Sequence, residues 1–121
     1  MRKPSSSSVR VFSPRYTQEE VIESLRARMP QLLEHLPVRW VVLFGSYAKG
    51  NYTAFSDIDL LVVYAGKPRD DAFAVVKRTF GLVGLEPQVL AEEEFQQVLP
   101  VWTKMLEHSV TIWGQNPLTE Q

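Results

Sequence analysis

The stretch VVLFGSYAKGNYTAFSDIDLLVV, residues 41–63, constrains this chain more than any other part of it. A short β-rich apolar run, Val38 to Phe44, stops at Gly45 and Ser46. Ten residues after Ser46, a second apolar run from Asp57 to Tyr64 opens on two carboxylates, Asp57 and Asp59. Each run has the length and side-chain type of a strand. The second is apolar on both faces after Ile58, which suits a central strand in a sheet covered on both sides.

Helical patterns surround these strands. Thr17-Gln18-Glu19-Glu20 is a capping box that starts a helix, in which Val21, Ile22, Leu25 and Met29 form an apolar stripe. Pro30 lacks the helical donor, so a kink or a second short helix is expected there, continuing over Gln31 to Leu36 until Pro37. Ser46 to Lys49 reads as a helical turn and Gly50 to Ser56 as a loop. Asp70 to Phe80 reads as a helix, with Asp70 and Asp71 favoured by its N-terminal dipole. Gly84 to Leu90 is a third strand. Glu92 to Leu99 is helical, Pro100 starts another helix to about Glu107, and Ser109 to Trp113 is a last short strand. Residues 1–15 read as a flexible Ser-, Pro- and Arg-rich tail, with Val9, Val11 and Phe12 able to dock on the body. A single domain over 16–114 and a polar C-terminal tail over 115–121 complete the organisation.

Composition removes several classes of function. The 121 residues suit one domain. A net charge of -1 argues against a broad nucleic-acid-binding face. With no cysteine, disulfides and cysteine-based zinc sites are excluded, and cytoplasm is the default compartment. No apolar run reaches membrane-spanning length, and the basic N-terminus lacks the apolar core of a secretory signal.

Two features carry chemistry. Where a strand meets a helical turn, backbone N–H groups are unpaired and can hold an anion. Gly45 lets the backbone approach a ligand, Ser46 adds a hydroxyl, and Lys49 adds a positive charge one turn on. No Gly-Lys-Ser/Thr follows, so this is not a Walker P-loop. Gly-Ser alone is also a common turn. Asp57 and Asp59 are spaced to point the same way from a strand. Two carboxylates that close repel each other when ionised, and a hard divalent cation relieves the repulsion. A solvated strand start would explain the same pair.

The joint pattern is far more specific than either half. Gly-Ser, ten residues, then Asp-x-Asp resembles the minimal nucleotidyltransferases of the DNA polymerase beta superfamily. The resemblance covers positions 38 to 64 through this motif, and extends to about Phe95 through the order of elements. It implies an α/β (α+β) nucleotidyltransferase core, a small mixed β-sheet flanked by helices. It implies that Gly45 and Ser46, with Lys49, bind the triphosphate of ATP. Asp57 and Asp59 would hold two Mg²⁺ ions, and a nucleoside monophosphate would pass to an acceptor as pyrophosphate leaves.

The superfamily normally carries a third acid on a later strand. Here Glu86, in Gly-Leu-Glu-Pro-Gln-Val-Leu, stands as metal ligand and general base. It is longer than the usual Asp, and Pro87 after it argues for an edge strand or a bulge, with Gln88 on the same face. Lys49 stands where the family often has Arg. The spacing is similar to that of the antitoxins of HEPN/MNT toxin–antitoxin pairs, which implies AMP transfer to a tyrosine of an all-helical HEPN toxin partner. A scaffold that binds nucleotide without turnover, or transfer to a small molecule or RNA, would fit the same residues.

The remaining residues have plain readings. His35 and His108 are surface or helix-end residues, in no metal spacing. Trp40, Trp102 and Trp113, with Phe44, Phe73, Phe80 and Phe95, are expected in the core. Tyr47 or Tyr52 could stack on adenine. Glu92, Glu93 and Glu94 suit a helix start, and Arg39, Lys77 and Arg78 a solvated face.

Overall fold

A computed structural model describes residues 15–118, so the docking expected of Val9, Val11 and Phe12 lies outside the described residues. The elements are α1 (Gln18–His35), β1 (Val38–Phe44), α2 (Gly45–Lys49), β2 (Ile58–Tyr64), α3 (Ala72–Phe80), β3 (Leu85–Ala91), α4 (Glu92–Met105) and β4 (Val110–Gly114). The four strands form one sheet in the order β3-β2-β1-β4. β1 runs antiparallel to both β2 and β4, and β2 runs parallel to β3. The sheet is therefore mixed, as the resemblance implies, and its two apolar strands are central.

Alternation along the strands builds two cores. Val41, Leu43, Ile58, Leu60 and Val62 face α1 and α3, where Val21, Leu25, Leu32, Val76 and Phe80 are buried against them. Trp40, Val42, Phe44, Leu61 and Val63 face α4, where Phe95 and Trp102 close the layer. Edge-on ring pairs seat α4, Trp40 with Phe95 at 6.0 Å and Phe44 with Trp102 at 5.1 Å. Such pairs add about 0.5–1.5 kcal/mol each beyond the area they bury.

The α1 cap forms as its sequence requires. Glu20 N donates to Thr17 Oγ1 at 3.1 Å, and Thr17 N donates to Glu20 Oε1 at 2.8 Å. Pro30 does not divide the helix, which runs through 18 residues. Pro100 likewise lies inside α4 instead of starting a helix of its own. The reason is the same in both. Buried side chains on either side of the proline, Leu25 and Leu32 in α1, Phe95 and Trp102 in α4, hold both halves to one core. Each proline lies on the exposed side, where water can satisfy the carbonyl it leaves unpaired.

Three further expectations change. Phe73 is 53% exposed, because α3 buries Ala72, Val75, Val76 and Phe80 and turns Phe73 away from them. The helix begins at Ala72, so Asp71 is not within its first turn, and its carboxylate is held by Arg69 at 2.9 and 3.1 Å. The C-terminal segment is not wholly polar and free: Pro117 is buried and Leu118 packs against the α4 core. No helix among the described residues is long and apolar enough to cross a membrane.

Pro30→Ala should stabilise the protein by about 2 kcal/mol, since proline costs roughly 3 kcal/mol in a helix interior and the unfolded chain regains some entropy. Chemical denaturation of both forms measures the difference.

Candidate active site

The site is built where β1 ends and β2 begins. Antiparallel pairing sets Phe44 opposite Asp59. The next residue, Gly45, has φ +75° and starts α2. A Cβ at Gly45 would overlap Asp59 Oδ2 and come within 3.2 Å of Asp59 Cγ. The two halves of the sequence motif are thus in van der Waals contact, and the absent side chain of Gly45 is what leaves room for the carboxylate.

α2 is a single turn, closed by Gly50, whose N–H donates to Ser46 O at 2.9 Å. So short a helix carries little dipole. An anion held there would have to be held by the N–H groups of its first turn and by the Ser46 hydroxyl, not by a dipole. Lys49, in the same turn, is exposed.

Of the two candidates for stacking on adenine, Tyr47 is buried, and each ring has one face taken by the other. They stack on each other, with ring centres 4.2 Å apart and planes 10° apart. Tyr47 donates its hydroxyl to Tyr16 O at 3.0 Å, and burial pushes its pKa above the ordinary tyrosine value. Tyr52 Oη accepts from Gln18 N at 2.9 Å, and Gln18 Nε2 donates to Tyr47 O at 2.8 Å and Ala48 O at 3.1 Å. Gln18 therefore positions the Gly45–Lys49 turn from across the fold. Sequence reading missed it, because a glutamine at a helix start gives no hint of contacts about thirty residues away.

The three acids share one electrostatic environment. Asp57 is exposed in the loop just before β2, and Asp59 is partly buried within the strand. Glu86 is opposite Asp59 across the parallel β2–β3 pair. Burial holds the Asp59 carboxyl above its ordinary pKa, and the charges of Asp57 and Glu86 push it the same way. β3 is an edge strand in regular register with β2, so Pro87 sits at an edge, with no bulge. Glu86 and Gln88 are both exposed.

Carboxylate oxygens are the donors a hard cation such as Mg²⁺ takes, and a cation would offset the repulsion at Asp59. Among the described residues, no three acidic or imidazole side chains already converge on a metal-sized point. Asp57 and Asp59 have the donor chemistry such a cation takes, and Glu86, exposed on the neighbouring strand, would have to swing to join them.

Other charged groups are engaged elsewhere. Arg39 pairs with Glu92 at 3.2 Å, Lys67 with Glu93 at 3.6 Å, and Lys77 Nζ donates to Leu85 O at 2.8 Å. Glu94 Oε1 accepts from Ala91 N at 2.9 Å, a helix-start role. His35 is in the last turn of α1 and His108 in a turn, both exposed.

With this geometry in place, comparison with known proteins is decisive at the level of family. The sequence profile of the nucleotidyltransferase domain matches residues 19–113. The chain belongs to the nucleotidyltransferase domain family. A putative protein adenylyltransferase of Methanocaldococcus jannaschii is 38% identical over 52 residues, which are 43% of this chain and 60% of that relative. The chain thus matches less than two thirds of that relative's length. A putative nucleotidyltransferase of Sulfolobus solfataricus superposes with a TM-score of 0.57 at 25% identity, over 95% of this chain and 93% of that one. A complex of a tri-AMPylated HEPN toxin with its MNT antitoxin from Shewanella oneidensis gives a TM-score of 0.53 at 16% identity, over 82% of this chain and 74% of that one. That likeness is one of fold.

Two outcomes test the site geometry. Gly45→Ala and Gly50→Ala each place a side chain at positive φ, at a cost of about 1–2 kcal/mol. Nothing lies within 4 Å of a Cβ at Gly50, whereas Gly45→Ala must also displace Asp59. Denaturation should therefore rank Gly45→Ala as the more damaging change. Asp59→Asn should raise the melting temperature of the metal-free protein at neutral pH, because it removes a charge the folded state disfavours. The folded protein takes up this proton before the unfolded chain does. The gain from Asp59→Asn should therefore shrink as pH falls from the raised Asp59 pKa through the ordinary 3.8. Thermal melts across that range read it.

Proposed function

We propose that the chain is a Mg²⁺-dependent nucleotidyltransferase that moves AMP from ATP to a hydroxyl of a partner protein of HEPN type. The observation that carries the reading is the contact between Gly45 and Asp59, a phosphate-binding turn against an acidic strand in a nucleotidyltransferase domain. The adenylyltransferase name of the Methanocaldococcus relative and the AMPylated toxin bound by the Shewanella antitoxin support AMP as the group and a protein as the acceptor.

In this reading Gly45, Ser46 and Lys49 hold the triphosphate. Asp57 and Asp59 hold the metal, with Glu86 as the third ligand. Bound divalent metal supplies charge neutralisation on the phosphates and lowers the pKa of the attacking hydroxyl. The acceptor oxygen attacks the α-phosphorus and forms the new O–P bond. The bond from that phosphorus to the β-phosphate bridging oxygen breaks, and pyrophosphate leaves. Glu86 takes the acceptor proton. A second reading, a nucleotide-binding scaffold without turnover, is favoured by one feature: Glu86 is exposed on an edge strand and does not yet converge with the other acids.

Incubation with labelled ATP, Mg²⁺ and the product of the neighbouring gene, followed by mass spectrometry, tests the proposal. AMP on that protein is the expected result, and tight ATP binding without transfer would favour the scaffold. Asp57→Asn and Asp59→Asn should each abolish pyrophosphate release while the far-ultraviolet dichroism is kept. Glu86→Gln should cost on the order of a hundredfold or more, the usual range for a general base. Glu93→Gln, which removes only an exposed ion pair with Lys67, should leave the rate near wild type. Equal, mild losses at both would remove Glu86 from the mechanism.

A further inference from the structure

Tyr16 and Gln18, at the entry to α1, bond to three segments that border the site. Tyr16 O accepts from Tyr47 Oη at 3.0 Å, and Tyr16 Oη accepts from Val83 N, in the turn before β3, at 3.2 Å. Gln18 N donates to Tyr52 Oη, in the loop that leads to Asp57. Gln18 Nε2 reaches α2 itself, where it donates to both Tyr47 O and Ala48 O. Gln18 is one residue before the span matched by the family profile, 19–113, so the family match gives it no role.

The two side-chain bonds act where the turn is weakest. A helix of five residues has no stability of its own, because nucleation is costly and nothing is left to propagate. Its last four carbonyls also lack partners within the helix. Gln18 gives donors to two of them, from a helix anchored in the core through the fully buried Val21 and Leu25. Carbonyls in a helical turn point away from its N–H groups. Gln18 thus grips the turn from the end opposite Gly45 and Ser46, where its half-buried side chain is not easily replaced by water.

We infer that Gln18 is a positioning residue for the triphosphate of ATP, given the phosphate role proposed above for Gly45, Ser46 and Lys49. It acts through the turn and not on the nucleotide itself. By holding Gly45 and Ser46 in one conformation before the phosphates arrive, it lowers the ordering cost of binding. AMP lacks the two outer phosphates, so its binding draws little on the turn. Gln18 therefore sets the preference for a nucleoside triphosphate over a monophosphate.

Titration calorimetry of the full chain with Mg²⁺ and either ATP or AMP, without acceptor, tests this. Gln18→Met keeps the length of the side chain and removes its donors. It should weaken ATP about tenfold, the scale of one or two lost hydrogen bonds, and AMP less than about twofold. Gln18→Lys, which keeps a donor at similar reach, should recover most of the ATP affinity. Gln18→Glu should lose more than Gln18→Met, because its carboxylate faces two carbonyl oxygens. Melting curves check that each variant is folded at the titration temperature. If ATP and AMP weaken alike, or neither weakens, Gln18 loses this role while the nucleotidyltransferase reading stands. No ATP binding by the wild type, by contrast, removes that reading and the role of Gln18 with it.

Discussion

The pairing of β1 with β2 is the constraint on which the rest depends. It sets Phe44 opposite Asp59 and brings the turn at Gly45 onto the carboxylate. The same pairing divides the apolar side chains of two central strands between the α1–α3 core and the α4 core. A shift of the ladder by one residue would turn Asp59 to the opposite face and move Leu61 and Val63 from the α4 core into the α1–α3 core. Burial on both faces thus fixes the register, and the register fixes the site. The order of events is from packing to chemistry.

Much of this is legible in the sequence, for physical reasons that differ from one element to the next. The limits of β1 follow from its apolar run and its stop at Gly45. The α1 start follows from a cap whose partners are three residues apart. The edge placement of β3 follows from Pro87. The misreadings share one cause, tertiary packing that local rules do not contain. Pro30 and Pro100 are tolerated because buried neighbours on both sides outweigh a lost hydrogen bond. Tyr47 and Tyr52 stack on each other, and the link through Gln18 spans distant parts of the chain. The proximity of Asp57 and Asp59 is readable from their separation by a single residue, although Asp57 lies in the loop just before β2 and outside the strand the sequence assigns it to. The place of Glu86 opposite Asp59 needs the parallel β2–β3 pairing, which no spacing reveals.

The acids also show a conflict between folding and chemistry. Asp59 is partly buried beside two like charges, an arrangement that opposes its ionised form. Folding alone would not select it, since a neutral residue there would serve the sheet better. Any cation bound at this place returns free energy to the fold as well as to the ligand, because binding to the native state alone stabilises it. Stability and ligation are then linked through the same side chain.

The edge position of β3 has a consequence for timing. Asp59 belongs to a strand hydrogen-bonded on both sides, whereas Glu86 belongs to one that is paired only with β2. Edge strands open locally at lower free energy than central ones. The acid group is therefore assembled from parts of unequal rigidity: a carboxylate in the sheet centre and a companion on one of its edges. A ligand that draws Glu86 inward must also steady that rim. Occupancy of the site and order in the outermost strand would then rise together.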